Sequence, residues 1–294
     1  MTFATATTID EALAALASGA RPVAGGTDLV VLARQGKSPL PGSLVAIHRL
    51  AELGDVEEVG GGLRLGALAT HAQLIVHTVV RERFTALADA STIVGSHATR
   101  AHGTIGGNLM NASPAMETGG PLMCFDATVT LRSTAGSRNV DMSELFTGPG
   151  ATVAEPGELL VHVDIPALPD RTGSAYVRLE YRRQMEIAVV GATAAVTLDN
   201  HTVARARVAI TALSPTIRRV REAEAALEGS GGGETDVAAA ARLAADGSSP
   251  ISDVRASERY RRAMAEVVSR RAIDAALTRA RGGNVPIPAS GGTA

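Results

Sequence analysis

Two glycine loops hold the residues best suited to meet a ligand. The first reads Pro22-Val23-Ala24-Gly25-Gly26-Thr27-Asp28-Leu29, and the second runs from Gly103 to Glu117 as GTIGGNLMNASPAME. Paired glycines lose the most entropy in regular structure, so the second stretch reads as a poor helix and a poor strand. What glycine offers is backbone that takes positive φ and approaches a ligand with no Cβ in the way. Free N–H groups, flanked by the side chains of Thr104, Asn108, Asn111 and Ser113, would make a nest for an anion such as phosphate. Two such loops suit a ligand with two phosphates, a ribose or ribityl chain and a flat ring. Neither contains the Gly-x-Gly-x-x-Gly fingerprint or a Gly-Lys-Ser/Thr. The chemistry is therefore pyrophosphate binding by backbone, not phosphoryl transfer.

The elements that must carry these loops follow from capping and periodicity. Thr8 caps a helix over Ile9–Ser18 that Gly19 stops, and Arg21–Ala24 leads as a brief strand into the first loop. A helix over Asp28–Arg34 and a strand over Ser43–Ile47 close a βαβ-type unit. Val56–Gly66 alternates like a hairpin, Thr70 caps a helix over His71–Thr78, and another helix spans Phe84–Val94. Leu122-Met123-Cys124-Phe125 reads as an apolar strand, and Thr128–Arg132 and Leu159–Ile165 as antiparallel strands of one sheet. Strands over Tyr176–Tyr181, Val189–Leu198 and Val203–Ala212 precede helices over Ile217–Glu228, Asp236–Ala245 and Tyr260–Arg281. The pattern divides the chain into residues 1–55, 56–172 and 173–281, followed by a disordered tail over 282–294.

Composition excludes several function classes. The 294 residues carry a net charge of −2, which argues against nucleic acid or an anionic membrane surface as partner. The lone cysteine, Cys124, leaves no disulfide framework and no cysteine-held iron–sulfur cluster. Buried among apolar residues, it reads as a small hydrophobe. No eighteen-residue apolar run or leader-like N-terminus is present, so no membrane span and a cytoplasmic location are expected. His71, His77, His97 and His102 do not share a helical face, and no metal site is expected. With no Trp, four Phe and three Tyr, a flat ring would lie mostly on aliphatic side chains and glycines.

Together, Ala24-Gly25-Gly26-Thr27-Asp28-Leu29 and Thr104-Ile105-Gly106-Gly107-Asn108 resemble the FAD-binding medium subunit of molybdenum hydroxylases, the carbon monoxide dehydrogenase-like and xanthine dehydrogenase-like enzymes. The likeness continues through Asn111–Ala115, Pro121-Leu122, Asp126-Ala127, Val163–Pro166, Tyr176–Arg178 with Arg183, Ile187–Val190, Ser214-Pro215, Ser252–Arg255 and Tyr260–Arg262. It implies an α+β chain: a two-subdomain FAD-binding fold of the vanillyl-alcohol oxidase-like (PCMH) type, followed by a small α+β domain. The implied cofactor is FAD. The implied partners are a molybdenum-cofactor large subunit and a [2Fe-2S] small subunit, with NAD, a quinone or another acceptor receiving the electrons.

Carried over residue by residue, the resemblance puts Pro22, Val23, Ala24, Gly25, Gly26, Thr27, Asp28 and Leu29 around the FAD pyrophosphate. Thr104, Ile105, Gly106, Gly107 and Asn108 would meet the pyrophosphate and ribityl chain from the other side. Glu117 stands where the family has Asp for a ribose or ribityl hydroxyl, Leu160 at a position that packs on the flavin, and Arg178 where Lys lies near the ring. No residue need act on the organic substrate in this subunit, so no catalytic acid or base is expected. A stand-alone flavin oxidoreductase of the same fold is the alternative.

Overall fold

The structure, a computed structural model, describes residues 2–182 and 184–289; Met1, Arg183 and residues 290–294 lie outside them. The chain opens with β1 (Thr2–Thr5), α1 (Ile9–Ala17), β2 (Arg21–Val23), α2 (Leu29–Arg34) and β3 (Ser43–Ala46). Thr8 accepts from the Glu11 amide at 3.2 Å, while the Glu11 carboxylate takes the Thr7 amide at 2.7 Å. That reciprocal cap starts α1 where the sequence places it. The strands form a parallel sheet in the order β1-β3-β2. Only β1 had no signal in the sequence, because its four residues are all exposed and show no alternation.

The next unit holds β4 (Val56–Val59), β5 (Gly62–Gly66), α3 (His71–Val76), α4 (Thr78–Glu82), α5 (Thr85–Ile93), α6 (His97–His102), α7 (Ile105–Asn111) and α8 (Gly119–Cys124). It continues with β6 (Thr128–Ser133), β7 (Gly136–Asp141), β8 (Phe146–Gly148), β9 (Ala151–Thr152) and β10 (Leu159–Ile165). Its main sheet is antiparallel, in the order β4-β5-β10-β6-β7. β10 is apolar on both faces. A bulge between Leu160 and His162 lets Leu159 and Val161 join the core around α1 and β3, while Leu160, Val163 and Ile165 fill the core of this unit. The Leu122–Phe125 run is not a strand: Leu122–Cys124 end α8 and Phe125 is its C-cap. Short apolar runs do not distinguish a buried helix from a strand, and all six α8 residues are buried.

The last unit comprises β11 (Thr172–Leu179), β12 (Val190–Asp199), β13 (Thr202–Thr211), β14 (Arg218–Arg219), α9 (Arg221–Leu227), α10 (Glu234–Asp246) and α11 (Glu258–Ala280). The sheet β11-β12-β13-β14 is antiparallel. Helices cover it on both sides: α11 lies on β11 and β12, while α5 and α8 of the preceding unit pack against the same strands. The close approach of α11 is set by small side chains. A Cβ on Gly173 would stand 2.2 Å from the Ala276 carbonyl oxygen. The helix expected over Ile217–Glu228 begins only at Arg221, because Arg218 and Arg219 pair with β13 as an edge strand.

Residues 282 to 289 are not a disordered tail. Ile287 packs on the core of the middle unit, Ala289 is buried, and its amide donates to Asp89 Oδ1 at 2.9 Å. Arg279, on the last turn of α11, donates to the carbonyls of Val285 and Pro286 at 3.2 and 3.0 Å. Composition suggested disorder, and two hydrogen-bonded anchors override it.

Candidate FAD-binding site

The two glycine loops meet. A Cβ added to Gly25 would stand 1.8 Å from the His102 carbonyl oxygen and 2.5 Å from its carbon, so the first loop lies directly on the turn between α6 and α7. Gly26, at φ 67°, then turns the chain into α2 in a conformation that favours glycine. The amides of Gly25, Gly26, Thr27 and Asp28 find no backbone or side-chain acceptor among the described residues. This is the nest of free donors the sequence suggests for an anion.

The second loop differs from its sequence reading. Residues Ile105–Asn111 form a short helix despite Gly106 and Gly107, because Thr104 caps it by accepting from the Gly107 amide at 3.1 Å. Its first amides are not free. Ile105 donates to the Ala69 carbonyl and Gly106 to that of Ala67, each at 2.9 Å, and Asn108 donates to Thr104. Gly106 is required by packing, since a Cβ there would lie 2.7 Å from the Ala67 oxygen. Gly107 is exposed, and a Cβ there would meet only the Thr104 hydroxyl, at 3.0 Å. From this loop a ligand therefore meets the bare surface at Gly107 and the Asn108 side chain, whose Oδ1 is taken by Thr118 at 2.6 Å.

Past α7 the chain runs into a buried charge cluster. Pro114 accepts from the Ala212 amide at 2.8 Å, which fixes this segment against the end of β13. Glu117 is buried, and its Oε1 accepts from Arg178 Nη1 at 2.5 Å. The Arg178 side chain is only 1 % exposed, and its Nε donates to Glu180 at 2.8 Å, with Nη2 bonding the same carboxylate. Burial pushes the Glu117 carboxyl up to about 7, against the opposing pull of Arg178. Glu180 is the partner that sequence reasoning missed. Period-two alternation along β11 puts Tyr176, Arg178 and Glu180 on one side, and that signal was available. Leu160 sits elsewhere: at 3 % exposure it shares the core with Ile105 and Leu109, beneath α7.

His71 stands beside the cradle, its backbone amide donating to the Gly103 carbonyl at 3.1 Å. Burial and the nearby Arg100 charge lower its pKa from 6.5 to about 4, so the folded protein holds it neutral. Its folded pKa is depressed, so its contribution is complete above the unfolded value and is lost as pH falls toward about 4. That loss is on the order of 3 kcal/mol. His71→Gln should therefore weaken the fall in unfolding free energy between pH 6.5 and 4, read by urea titrations across that range. An unchanged acid limb would remove His71 from the account. Cys124 is also buried, which raises its thiol pKa and keeps it inert. Among the described residues, no group of three His, Cys, Asp or Glu is placed to hold a metal.

The first loop offers unsatisfied amides suited to a pyrophosphate, and the Thr118–Asn108 hydrogen bond ties the second loop to the segment that carries the buried Glu117–Arg178 pair. Residues 1–168 match the family described as the FAD binding domain in molybdopterin dehydrogenase. The chain belongs to this family. Residues 175–276 match the CO dehydrogenase flavoprotein C-terminal domain, so this FAD-binding oxidoreductase subunit carries both parts of the family's architecture. The chain is 34 % identical over 283 residues to the 6-hydroxypseudooxynicotine dehydrogenase complex subunit alpha of Paenarthrobacter nicotinovorans, covering 95 % of each chain. It is 30 % identical to the putative xanthine dehydrogenase FAD-binding subunit of Escherichia coli, covering 94 % of this chain and 96 % of that one. Its fold superposes with a TM-score of 0.91 on a chain of carbon monoxide dehydrogenase from Hydrogenophaga pseudoflava, at 30 % identity and covering 95 and 98 % of the two chains.

Proposed function

We propose that this chain is the electron-transfer subunit of a multi-subunit molybdenum hydroxylase. It would accept electrons from [2Fe-2S] clusters on a small subunit and deliver them through FAD to NAD, a quinone or another acceptor. Those electrons would come from hydroxylation of the substrate at a molybdenum cofactor on a large subunit, the step that precedes their passage through this chain. The observation that carries the reading is the closure of Gly25 onto His102, which sets a nest of free amides against the turn that leads into α7. FAD supplies two-electron and one-electron redox chemistry when bound. The chain's own part is to bind and orient. Residues Pro22 to Leu29 hold the pyrophosphate, and Thr104 to Asn108 flank it and the ribityl chain. Glu117 takes a ribose or ribityl hydroxyl, Leu160 backs the ring from beneath α7, and Arg178 sets the local charge.

Dependence on partners is supported by α2. Its sequence LVVLAR is almost wholly apolar, yet none of its residues is buried, and Val30 and Val31 are exposed. An apolar helix left uncovered beside the cofactor loop suits a subunit contact. Among the described residues no helix is long and apolar enough to cross a membrane, and the reading places the complex in the cytoplasm. The test is a visible spectrum of the purified chain with heat-released cofactor identified by mass, then affinity purification of the tagged chain from its native cell. The expected result is near-stoichiometric FAD together with molybdenum and iron–sulfur subunits. Yellow protein without those subunits would favour the stand-alone oxidoreductase, and protein that stays colourless in excess FAD would sink both.

A further inference from the structure

We propose that Glu117 is the proton-accepting group of this flavin site, taking up one proton each time the bound FAD is reduced by two electrons. The inference rests on the reading that FAD occupies the cradle. Its basis is the way the local charge is already committed. Arg178 is enclosed and donates to Glu117 on one side and to Glu180 on the other, while Nη1 also reaches the Glu186 carbonyl at 3.4 Å. With both carboxylates ionised the trio carries a net charge of −1. It cannot offset new negative charge on a reduced ring.

Protonating Glu117 makes the trio neutral. Glu117 is the more deeply buried of the two carboxylates and accepts one N–H from Arg178, where Glu180 accepts two. The other groups facing it do not compete. The Tyr176 hydroxyl is fully enclosed without a partner, and burial raises its pKa well above the usual value, so it stays neutral. Glu186 turns its carboxylate to Arg182 and the Ile187 amide. Asn108 and Thr118, from the α7 side, do not titrate. Burial already raises the Glu117 carboxyl to about 7, so negative charge arriving nearby would favour its protonation above neutrality.

The balance is simple. A reductant, whether iron–sulfur clusters or dithionite, supplies two electrons. One proton enters the ring as an N–H, and a second from solvent forms an O–H on the Glu117 carboxylate. The test is the midpoint potential of FAD on the purified chain, titrated with redox dyes from about pH 7 upward, beside the number of protons absorbed per reduction in weakly buffered solution. Each proton taken up changes the two-electron equilibrium constant tenfold per pH unit, or about 30 mV. The parent should take up two protons and fall by about 60 mV per pH unit. Glu117→Gln, which keeps shape and hydrogen bonding, should take up one and fall by half as much. Glu117→Asp should restore the second proton. Parent and E117Q, both loaded with FAD, showing the same slope and the same proton count would overturn the proposal without touching the reading that FAD occupies the cradle. A chain that holds no FAD would overturn the site reading itself, and this inference with it.

Discussion

Gly25→Ala is expected to abolish retention of FAD through purification and to weaken its binding by well over tenfold. The added methyl would sit 1.8 Å from the His102 carbonyl oxygen, a backbone atom in the turn that launches α7. No rotamer relieves that contact, so the loops must separate, and overpacking of this kind costs about 1–3 kcal/mol or more. Separation moves the free amides of residues 25–28 away from the turn that launches α7. FAD content, fluorescence titration with added FAD and urea unfolding read the two effects separately. Gly42→Ala is the control: nothing stands within 4 Å of its Cβ position and its φ is ordinary. It should leave FAD binding unchanged. Parental FAD affinity in the Gly25 variant would show that the loops need not touch to bind.

That contact also marks the limit of what the sequence makes legible. The paired glycines announce two special loops, and their order with the downstream motifs identifies the family. They do not say why glycine is needed at each place. Gly25 and Gly106 exist for chain-to-chain approach, Gly26 for a positive φ, and Gly107 presents a bare surface. The α7 helix was hidden because glycine propensity argues against it, and the cap from Thr104 with two long-range amide bonds to Ala67 and Ala69 outweighs propensity. The α8 helix was hidden because an apolar run of its length carries no period. Capped helices such as α1 and α3 were readable, since Thr8 and Thr70 act within four residues of chain. The cluster of Glu117, Arg178 and Glu180 was half readable: its members stand out singly, but only the tertiary fold brings residues 61 positions apart to 2.5 Å.

Arg279→Met is expected to cost about 3–5 kcal/mol of unfolding free energy, far more than loss of a surface pair. Asp89 is 0 % exposed and faces four donors: Arg279 Nη1 at 2.6 Å and Nη2 at 3.0 Å, the Tyr176 amide at 3.1 Å and the Ala289 amide at 2.9 Å. Burial raises the Asp89 pKa and these donors oppose that rise. Without the guanidinium the folded state must bury an uncompensated carboxylate or protonate it. The folded pKa then rises further above the unfolded one, so the deficit grows as pH rises from the carboxylate range toward neutrality and shrinks in acid. Adding Asp89→Asn to the Met variant should recover part of the loss, because the stranded charge is gone. Urea unfolding at acid and neutral pH measures all of this. The exposed pair of Arg132 and Asp10, at 3.4 Å, supplies the contrast, with a loss below about 1 kcal/mol expected. A deficit that ignores pH, or a double variant no better than the single one, would mean that Arg279 acts through packing alone. The consequence reaches the flavin site, since the anchored amide belongs to Tyr176 on β11, two residues before Arg178. Loosening β11 there should also weaken FAD binding, which separates this buried tie from a merely peripheral clasp on the chain end.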